Sequence, residues 1–307
     1  MAIKGKAKHL AEYTALRLAI GFFGSMSIDC ASGLGGWLGR TIGPRLGVSK
    51  KARRNIAIAM PEIGEKEIER IIAGMWDNLG RTIAEYAHLP AFAEKEERHR
   101  IELVHAECLR SIAASGNGTV IVSGHFANWE VLPAVMQLEG LHAGEVYRHA
   151  NNPYVNEWLV NLRRKVTQAV QIPKGSAGAR VIVRLMKEKK FVAMLTDQKL
   201  NDGIEVSFFG LRAMTTGAPA GLATRYGDPI IPVFIERLEG ANFRVTIYDP
   251  IVARPGADPG TEVPRITQEI NDFLEARIRE RPTQWLWLHD RWSEKQWTQR
   301  KKLAQRG

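Results

Sequence analysis

The chain has 307 residues, enough for one large domain or two smaller ones with a sizeable core. Hydrophobic residues make up 45% and charged residues 25% of it, a globular composition that excludes disorder over most of the chain. Only two cysteines are present, which excludes a disulfide framework and a cysteine metal cage and fits a reducing compartment.

The formal net charge of +10 is compatible with nucleic acid, anionic lipid or an acidic protein as partner. Neither a zinc-finger spacing nor an RNP-type aromatic motif accompanies the charge, so nucleic acid is the least favoured of the three. The basic residues cluster in four places: Lys4, Lys6 and Lys8; Lys50, Lys51, Arg53 and Arg54; Arg163, Arg164 and Lys165; and Arg300, Lys301 and Lys302.

Residues 1–45 are glycine-rich and contain "LAIGFFGSMSI", an uncharged run between Arg17 and Asp29. A spanning helix needs about 20 apolar residues, so this run alone is too short to cross a bilayer. One interpretation is a soluble glycine-rich helix with a loop. We favour a tilted or interfacial membrane anchor with its lysines on the cytoplasmic side, because small residues recur at the spacing that lets helices pack closely within lipid, at Ala31, Gly35, Gly39 and Gly43.

Residues 46–115 show a helical pattern. Apolar side chains in "EIERIIAGMWDNLGRTIAE" follow one another at steps of three or four, which keeps them on one face of a helix. Pro61 precedes this segment and Pro90 ends it. We therefore predict a helical region before the remainder of the chain.

Residues 116–307 change character and predict an α/β core, with 46–307 forming one domain. Strands are expected at "TVIVS", "FVAMLT", "PIIPVFI" and "FRVTIY", and helices near 154–168, 178–189 and 265–280. Their alternation predicts a mixed, mainly parallel sheet flanked by helices. Sites in such sheets form beyond the carboxyl ends of strands, where His125 follows one strand and Asp197 and Gln198 follow another.

The stretch "VIVSGHFANWE" (120–130) places His125 and Glu130 directly after a strand. If Gly124 makes a turn and His125 precedes the first helical turn, the glutamate can fold back toward the imidazole. The pair would then be a general base and its orienting carboxylate. The alternative is a histidine satisfied by local hydrogen bonds and a glutamate on a solvated helix face.

Other chemistries fit this stretch less well. A histidine and a glutamate at this spacing do not form the H-E-x-x-H zinc motif, so no metal is expected. The chain also lacks a G-x-S-x-G nucleophile elbow. The hydroxyl that His125 deprotonates would then belong to a substrate, which attacks an acyl donor directly. Activation of water by His125, as in a hydrolase, is a further alternative.

An ordered set of motifs resembles the bacterial lipid A late acyltransferases, the lauroyl/myristoyl acyltransferase family. After H-x4-E come "VYRHANNP", "TDQKLNDGIEVSFFG" and "PTQWLWLHDRW", and the resemblance extends over nearly the whole chain. It implies a glycerolipid-acyltransferase-like fold with an N-terminal membrane-associated helical region, at the cytoplasmic face of the bacterial inner membrane. Asp290 is a departure, because one of two successive arginines is usual there.

The resemblance also implies a reaction and its partners. An acyl chain would move from an acyl carrier protein thioester to a hydroxyl of a lipid A precursor, next to membrane lipids and with no metal or redox cofactor. His125 is the implied general base and Glu130 its catalytic partner. The implied substrate-binding residues are Arg148, Arg163, Arg164, Asp197 and Gln198.

Two other functions remain open at this point. One is an acyltransferase that uses acyl-CoA and another membrane glycolipid or phospholipid. The other is a basic membrane-binding protein without catalysis. Composition and motifs do not separate the possible donors or acceptors.

Overall fold

The computed structural model of the protein describes residues 2–141, 143–167 and 169–298, with side chains from residue 5 onward. The basic cluster at 300–302 lies outside these residues. The α-helices are α1 (Ala2–Gly24), α2 (Ile28–Ile42), α3 (Ser49–Ala59), α4 (Glu65–Glu85), α5 (Ala106–Ala114), α6 (Val131–Leu138), α7 (Pro153–Val166), α8 (Ser176–Lys187), α9 (Ala218–Tyr226) and α10 (Pro259–Glu280). The strands are β1 (Ile101–Val104), β2 (Thr119–Ser123), β3 (Ala143–Tyr147), β4 (Gln171–Pro173), β5 (Phe191–Leu195), β6 (Ile204–Phe208), β7 (Leu211–Thr215), β8 (Ile230–Arg237) and β9 (Phe243–Ile247).

Seven strands form one sheet in the order β1-β9-β8-β2-β5-β3-β4, and β6 and β7 form a separate hairpin. Within the large sheet β8 and β9 pair antiparallel, and the other neighbours pair parallel. The predicted mixed, mainly parallel sheet is confirmed. Because β2 and β5 are parallel neighbours, with Ser123 opposite Leu195, the segments that follow them emerge side by side.

Several strands were not predicted. The predicted helical region 46–115 contains β1, which pairs with β9 at one edge of the sheet. Strands β3 and β4 form the opposite edge, with the sequences "AGEVY" and "QIP". Strands this short, interrupted by polar residues, glycine or proline, do not show a clear alternating pattern.

Helices cover both faces of the sheet, and each face has its own core. Val120 and Val122 point to a core built with α3, α4, α8, α9 and α10. Ile121, between them, points to a core built with α5, α6 and α7. Strand β2 is buried along its whole length, as its uninterrupted apolar sequence predicts.

The glycines of α2 face α4 of the same chain. A Cβ on Gly35 would lie 2.7 Å from the Cβ of Ala84, and one on Gly39 would overlap the carbonyl group of Trp76. The small-residue spacing therefore serves close packing of two helices within the protein, and the expectation that it serves packing within lipid is wrong. Within the described residues, no helix combines the length and apolarity needed to cross a bilayer.

The segment after α10 returns to the centre of the molecule. Trp285 and Trp287, two positions apart, are buried. Asn55 of α3 holds this segment by donating to the carbonyl oxygens of Trp287 (2.8 Å) and His289 (2.5 Å). Asp290 pairs with Lys51 and Arg54, so it neutralises part of the basic cluster on α3.

Candidate active site

The site begins in the turn between β2 and α6, which carries His125. Ala127, in the middle of this turn, has a φ of 45°, in the left-handed region that costs a residue with a side chain energy. Its N–H donates to the carbonyl oxygen of Gln284 (2.8 Å). Its own carbonyl oxygen accepts from Asn78 and Thr82 of α4, both at 3.0 Å. Hydrogen bonds from two distant segments thus hold the strained turn in place.

A buried ion pair is hydrogen-bonded to the same turn. Glu85 at the end of α4 and Arg237 of β8 are both buried and hydrogen-bonded to each other. Glu85 Oε2 also accepts from Asn128 Nδ2 at 2.8 Å, and Asn128 lies between His125 and Glu130. A buried charge pair with its remaining hydrogen bonds satisfied fixes one arrangement of the groups around it.

His125 is oriented by Asp197, which follows β5. Asp197 Oδ1 lies 2.8 Å from His125 Nδ1, and Oδ2 accepts from the His125 backbone N–H (3.0 Å) and from Trp285 Nε1 (2.8 Å). Burial opposes the charge on Asp197, but His125 and these donors hold its pKa well below the usual range. A carboxylate only accepts, so Nδ1 carries a proton; in a neutral imidazole the lone pair is then on Nε2.

The structure corrects the predicted partner of the histidine. Glu130 accepts from Tyr86 OH (2.8 Å) and from Arg163 Nε (2.9 Å), and it forms an ion pair with Arg163. Burial raises the pKa of Glu130, but Arg163 and Tyr86 outweigh this and hold it below the usual value. Glu130 is at the position preceding α6, from which its side chain reaches Tyr86 and α7. The prediction that Glu130 orients the imidazole is therefore wrong, whereas the catalytic roles of His125 and Glu130 stay predictions.

These groups border a cavity of about 350 Å³. His125 lines it together with Glu130, Arg148, Arg163 and Gln198. Its apolar wall comes from α6, β3 and β5: Leu132, Pro133, Val146, Ala193, Met194 and Leu195. A cavity with an apolar wall and a few polar groups suits a ligand that is partly hydrocarbon.

Two of the predicted substrate-binding residues lie outside this lining. Asp197 is buried behind His125, with both oxygens engaged, so it supports the histidine instead of facing a ligand. Arg164 is exposed on α7 and donates to Asn161 of the same helix at 3.4 Å. Its role in binding a substrate stays a prediction, as do those of Arg148, Arg163 and Gln198.

Sequence reasoning missed further residues of the cavity: Tyr86, Trp129, Glu145, Gln171, Lys174 and His289. Burial raises the pKa of Glu145 to about 7, and the negative charge of Glu130 adds to this, whereas the Gln171 amide, 2.6 Å away, opposes it. Burial lowers the pKa of His289. Both residues lie in or beside the motifs that carry the family resemblance. His289 directly precedes Asp290 in "PTQWLWLHDRW", and Glu145 immediately precedes "VYR".

The arrangement can perform proton transfer at the cavity wall. The fixed tautomer leaves His125 Nε2 able to accept a proton, and Asp197 would stabilise the resulting imidazolium. Within the described ranges, no group of three or more His, Cys, Asp or Glu side chains is placed to hold a metal ion. Independence of metals and cofactors stays a prediction.

Comparison with known proteins identifies the family of the chain. The sequence profile of the bacterial lipid A biosynthesis acyltransferases matches residues 4–294. The chain is 22% identical over 245 residues to the lipid A biosynthesis lauroyltransferase of Escherichia coli (strain K12), covering 79% of this chain and 78% of that protein. It is 24% identical over 261 residues to the lipid A biosynthesis myristoyltransferase of the same strain, covering 82% and 77%.

A relative named for another acceptor is about equally similar. The phosphatidylinositol mannoside acyltransferase of Mycobacterium tuberculosis (strain ATCC 25618 / H37Rv) is 23% identical over 264 residues, covering 81% of this chain and 78% of that protein. Because the family profile spans nearly the whole chain, the protein is an acyltransferase that belongs to the bacterial lipid A biosynthesis acyltransferase family.

Proposed function

We propose that the protein transfers a fatty acyl chain from an acyl carrier protein thioester to a hydroxyl group of a lipid A precursor. The observation that carries the proposal is His125, whose Nδ1 is held 2.8 Å from the buried Asp197 while the ring lines a partly apolar cavity. Nε2 takes the proton of the acceptor hydroxyl as its oxygen attacks the thioester carbon. The acyl chain lies along the apolar wall of the cavity.

Charged groups of the cavity suit an anionic lipid. Arg148 and Lys174 both line it and can make charge-assisted hydrogen bonds to phosphate. Arg163 is already bonded to Glu130, so its first task is to hold that carboxylate and its second is to present positive charge. The basic surface of the chain also suits an acidic carrier protein, chiefly through faster encounter.

We propose a location at the cytoplasmic face of the bacterial inner membrane. Helix α1 packs on the protein along one side, where Asn152 donates to His9 O (2.8 Å) and to Glu12 Oε2 (3.0 Å). Its outer side exposes Leu18 and Phe22, one helical turn apart. Exposed apolar side chains on a helix that packs against the protein can enter the interface of a bilayer.

The test is acyl transfer by the purified protein, with carrier-protein thioesters and acyl-CoA of several chain lengths as donors and a tetra-acylated lipid A precursor as acceptor. Wild type and His125→Ala are compared, and the products are identified by mass spectrometry. We expect one added acyl chain with wild type and loss of transfer with the variant. Free fatty acid as the sole product would indicate a hydrolase, and membrane binding without any product would indicate a scaffold.

A second acceptor is favoured by the mycobacterial relative, which is named a phosphatidylinositol mannoside acyltransferase. The assay therefore includes a phosphatidylinositol mannoside beside the lipid A precursor. Transfer to the mannoside alone would replace the proposed acceptor but keep the proposed chemistry.

A further inference from the structure

The amide of Gln198 contacts the nitrogen of His125 that must act as the base. Gln198 Nε2 lies 3.3 Å from His125 Nε2. Because Asp197 keeps the proton on Nδ1, His125 Nε2 can only accept a hydrogen bond here, and the amide NH2 group can only donate one. In the free enzyme Gln198 therefore covers the lone pair that catalysis requires.

This contact is weak enough to be exchanged. The distance of 3.3 Å is longer than the usual 2.9–3.0 Å of a strong N–H donor bond. In the described part of the chain, His125 is the one hydrogen-bond partner of the Gln198 side chain. The side chain is partly exposed and lines the cavity, so a bound substrate can reach it.

An acceptor hydroxyl must donate to the same lone pair before it can be deprotonated. It therefore displaces the Gln198 amide, which remains beside the reacting oxygen with an N–H group to donate. Arg163, by comparison, directs its Nε and Nη2 at Glu130. We propose that Gln198 is a catalytic residue, whose amide donates to the carbonyl oxygen of the donor thioester as that oxygen becomes negative; this inference rests on the proposed function.

In the proposed transfer, the acceptor O–H proton passes to His125 Nε2 while the acceptor oxygen forms a bond to the thioester carbon. The carbonyl π electrons move to the carbonyl oxygen, where the Gln198 N–H stabilises the charge. When the carbonyl re-forms, the C–S bond breaks, and the leaving thiolate takes the proton from His125 Nε2.

The experiment compares kcat and KM for wild type, Gln198→Leu and Gln198→Asn, each with donor and acceptor varied separately. Leucine has about the same size but cannot donate, and loss of one oxyanion donor costs about 10²–10³ in kcat. We expect that loss with little change in either KM. Asparagine keeps the donor on a shorter side chain and should recover part of the rate.

The control is Gln296→Leu, the same chemical change at a partly exposed residue that donates to the carbonyl oxygen of Arg212. Its kcat should stay within about twofold of wild type, since Gln296 does not line the cavity. Thermal unfolding of each variant checks that the fold is retained. An unchanged kcat in Gln198→Leu, or a loss confined to KM, would overturn the proposal.

Wild type and Gln198→Leu in the same assay separate the proposed function from the proposed role of Gln198. If wild type transfers no acyl chain from any donor, the proposed function fails, and the role of Gln198 fails with it. If wild type transfers and Gln198→Leu transfers equally well, only the role of Gln198 fails.

Discussion

Asp197 and Glu130 are both buried carboxylates near His125, but they face different donors. Asp197 bonds to the imidazole, and Glu130 bonds to Tyr86 and Arg163. The two carboxylates therefore have different tasks. Asp197 fixes the tautomer of the base, whereas Glu130 holds Arg163 and Tyr86.

Replacement of Asp197 by asparagine tests this division of tasks. The amide is isosteric but can donate to Nδ1, which favours the tautomer with its proton on Nε2 and removes the base. We expect kcat to fall by about 10²–10⁴, as for other imidazole–carboxylate pairs. The measurement is steady-state acyl transfer, with Asp202→Asn at an exposed position as the control. Wild-type kcat in Asp197→Asn would mean that the observed pair does not orient the base.

Glu145 predicts a pH dependence of stability. Its pKa of about 7 in the folded protein lies above the ordinary 4.5, so the folded state holds the proton more tightly than the unfolded state. This contribution to stability is present below about pH 4.5 and is lost as the pH rises to about 7. Glutamine has no such charge, so the stability of Glu145→Gln relative to wild type should increase over this range and level off above it.

Urea unfolding between pH 4 and 9 measures this difference. Glu94→Gln serves as the control, because it removes a carboxyl group at an exposed position. A constant difference between Glu145→Gln and wild type across the range would contradict the prediction.

At the scale of elements, the position of α2 depends on glycines that let it touch α4. An added methyl group at Gly39 would overlap the Trp76 carbonyl group, whereas one at Gly33 of the same helix has no atom within 4 Å. Alanine is the better helix former at both positions. The contact with Trp76 therefore decides whether an added methyl group raises or lowers the free energy of unfolding.

We therefore expect Gly39→Ala to lower the free energy of unfolding by about 1–3 kcal/mol, the usual cost of overpacking. Gly33→Ala should instead leave it unchanged or raise it by up to about 1 kcal/mol. Urea unfolding of both variants provides the measurement. Equal stability of the two variants would show that α2 does not pack on α4 through its glycines.

At the scale of the whole molecule, separate parts of the chain meet at the site. Helix α4 and the segment after α10 hold the histidine turn, Asp197 follows β5, and α7 supplies Arg163. Helix α1 packs against α7 and exposes its other side. A membrane surface against α1 would thus lie close to α7, the helix whose Arg163 lines the cavity.

The exposed side of α1 makes this association testable. Leu18 and Phe22 are 71% and 54% exposed, and burial of such side chains in lipid contributes about 1.5–3 kcal/mol each. The double variant Leu18→Asp/Phe22→Asp should bind vesicles of phosphatidylethanolamine and phosphatidylglycerol roughly 100-fold more weakly. Flotation measures binding, and Val252→Asp, at an exposed residue outside α1, is the control. Undiminished binding by the double variant would exclude this surface.

Local patterns were sufficient for the main elements and for the family. The apolar run of β2, the helical periodicity of α4 and the order of the motifs predicted the mainly parallel sheet and the family, and the base at His125 stays a prediction. The short strands β1, β3 and β4 could not be predicted in this way, because their stability comes from pairing partners and not from their own sequences.

The sequence by itself determined that an imidazole and acidic groups would stand at the carboxyl ends of strands. Only the tertiary structure decided which carboxylate meets the imidazole. Glu130 is near in sequence but is drawn to Arg163, whereas Asp197, 72 positions away, reaches His125 because β2 and β5 are parallel neighbours. The same holds for the glycines of α2, whose spacing fits lipid and protein partners equally until α4 is in place. A spacing specifies what a side chain can contact, and the free energy of the whole fold selects its partner.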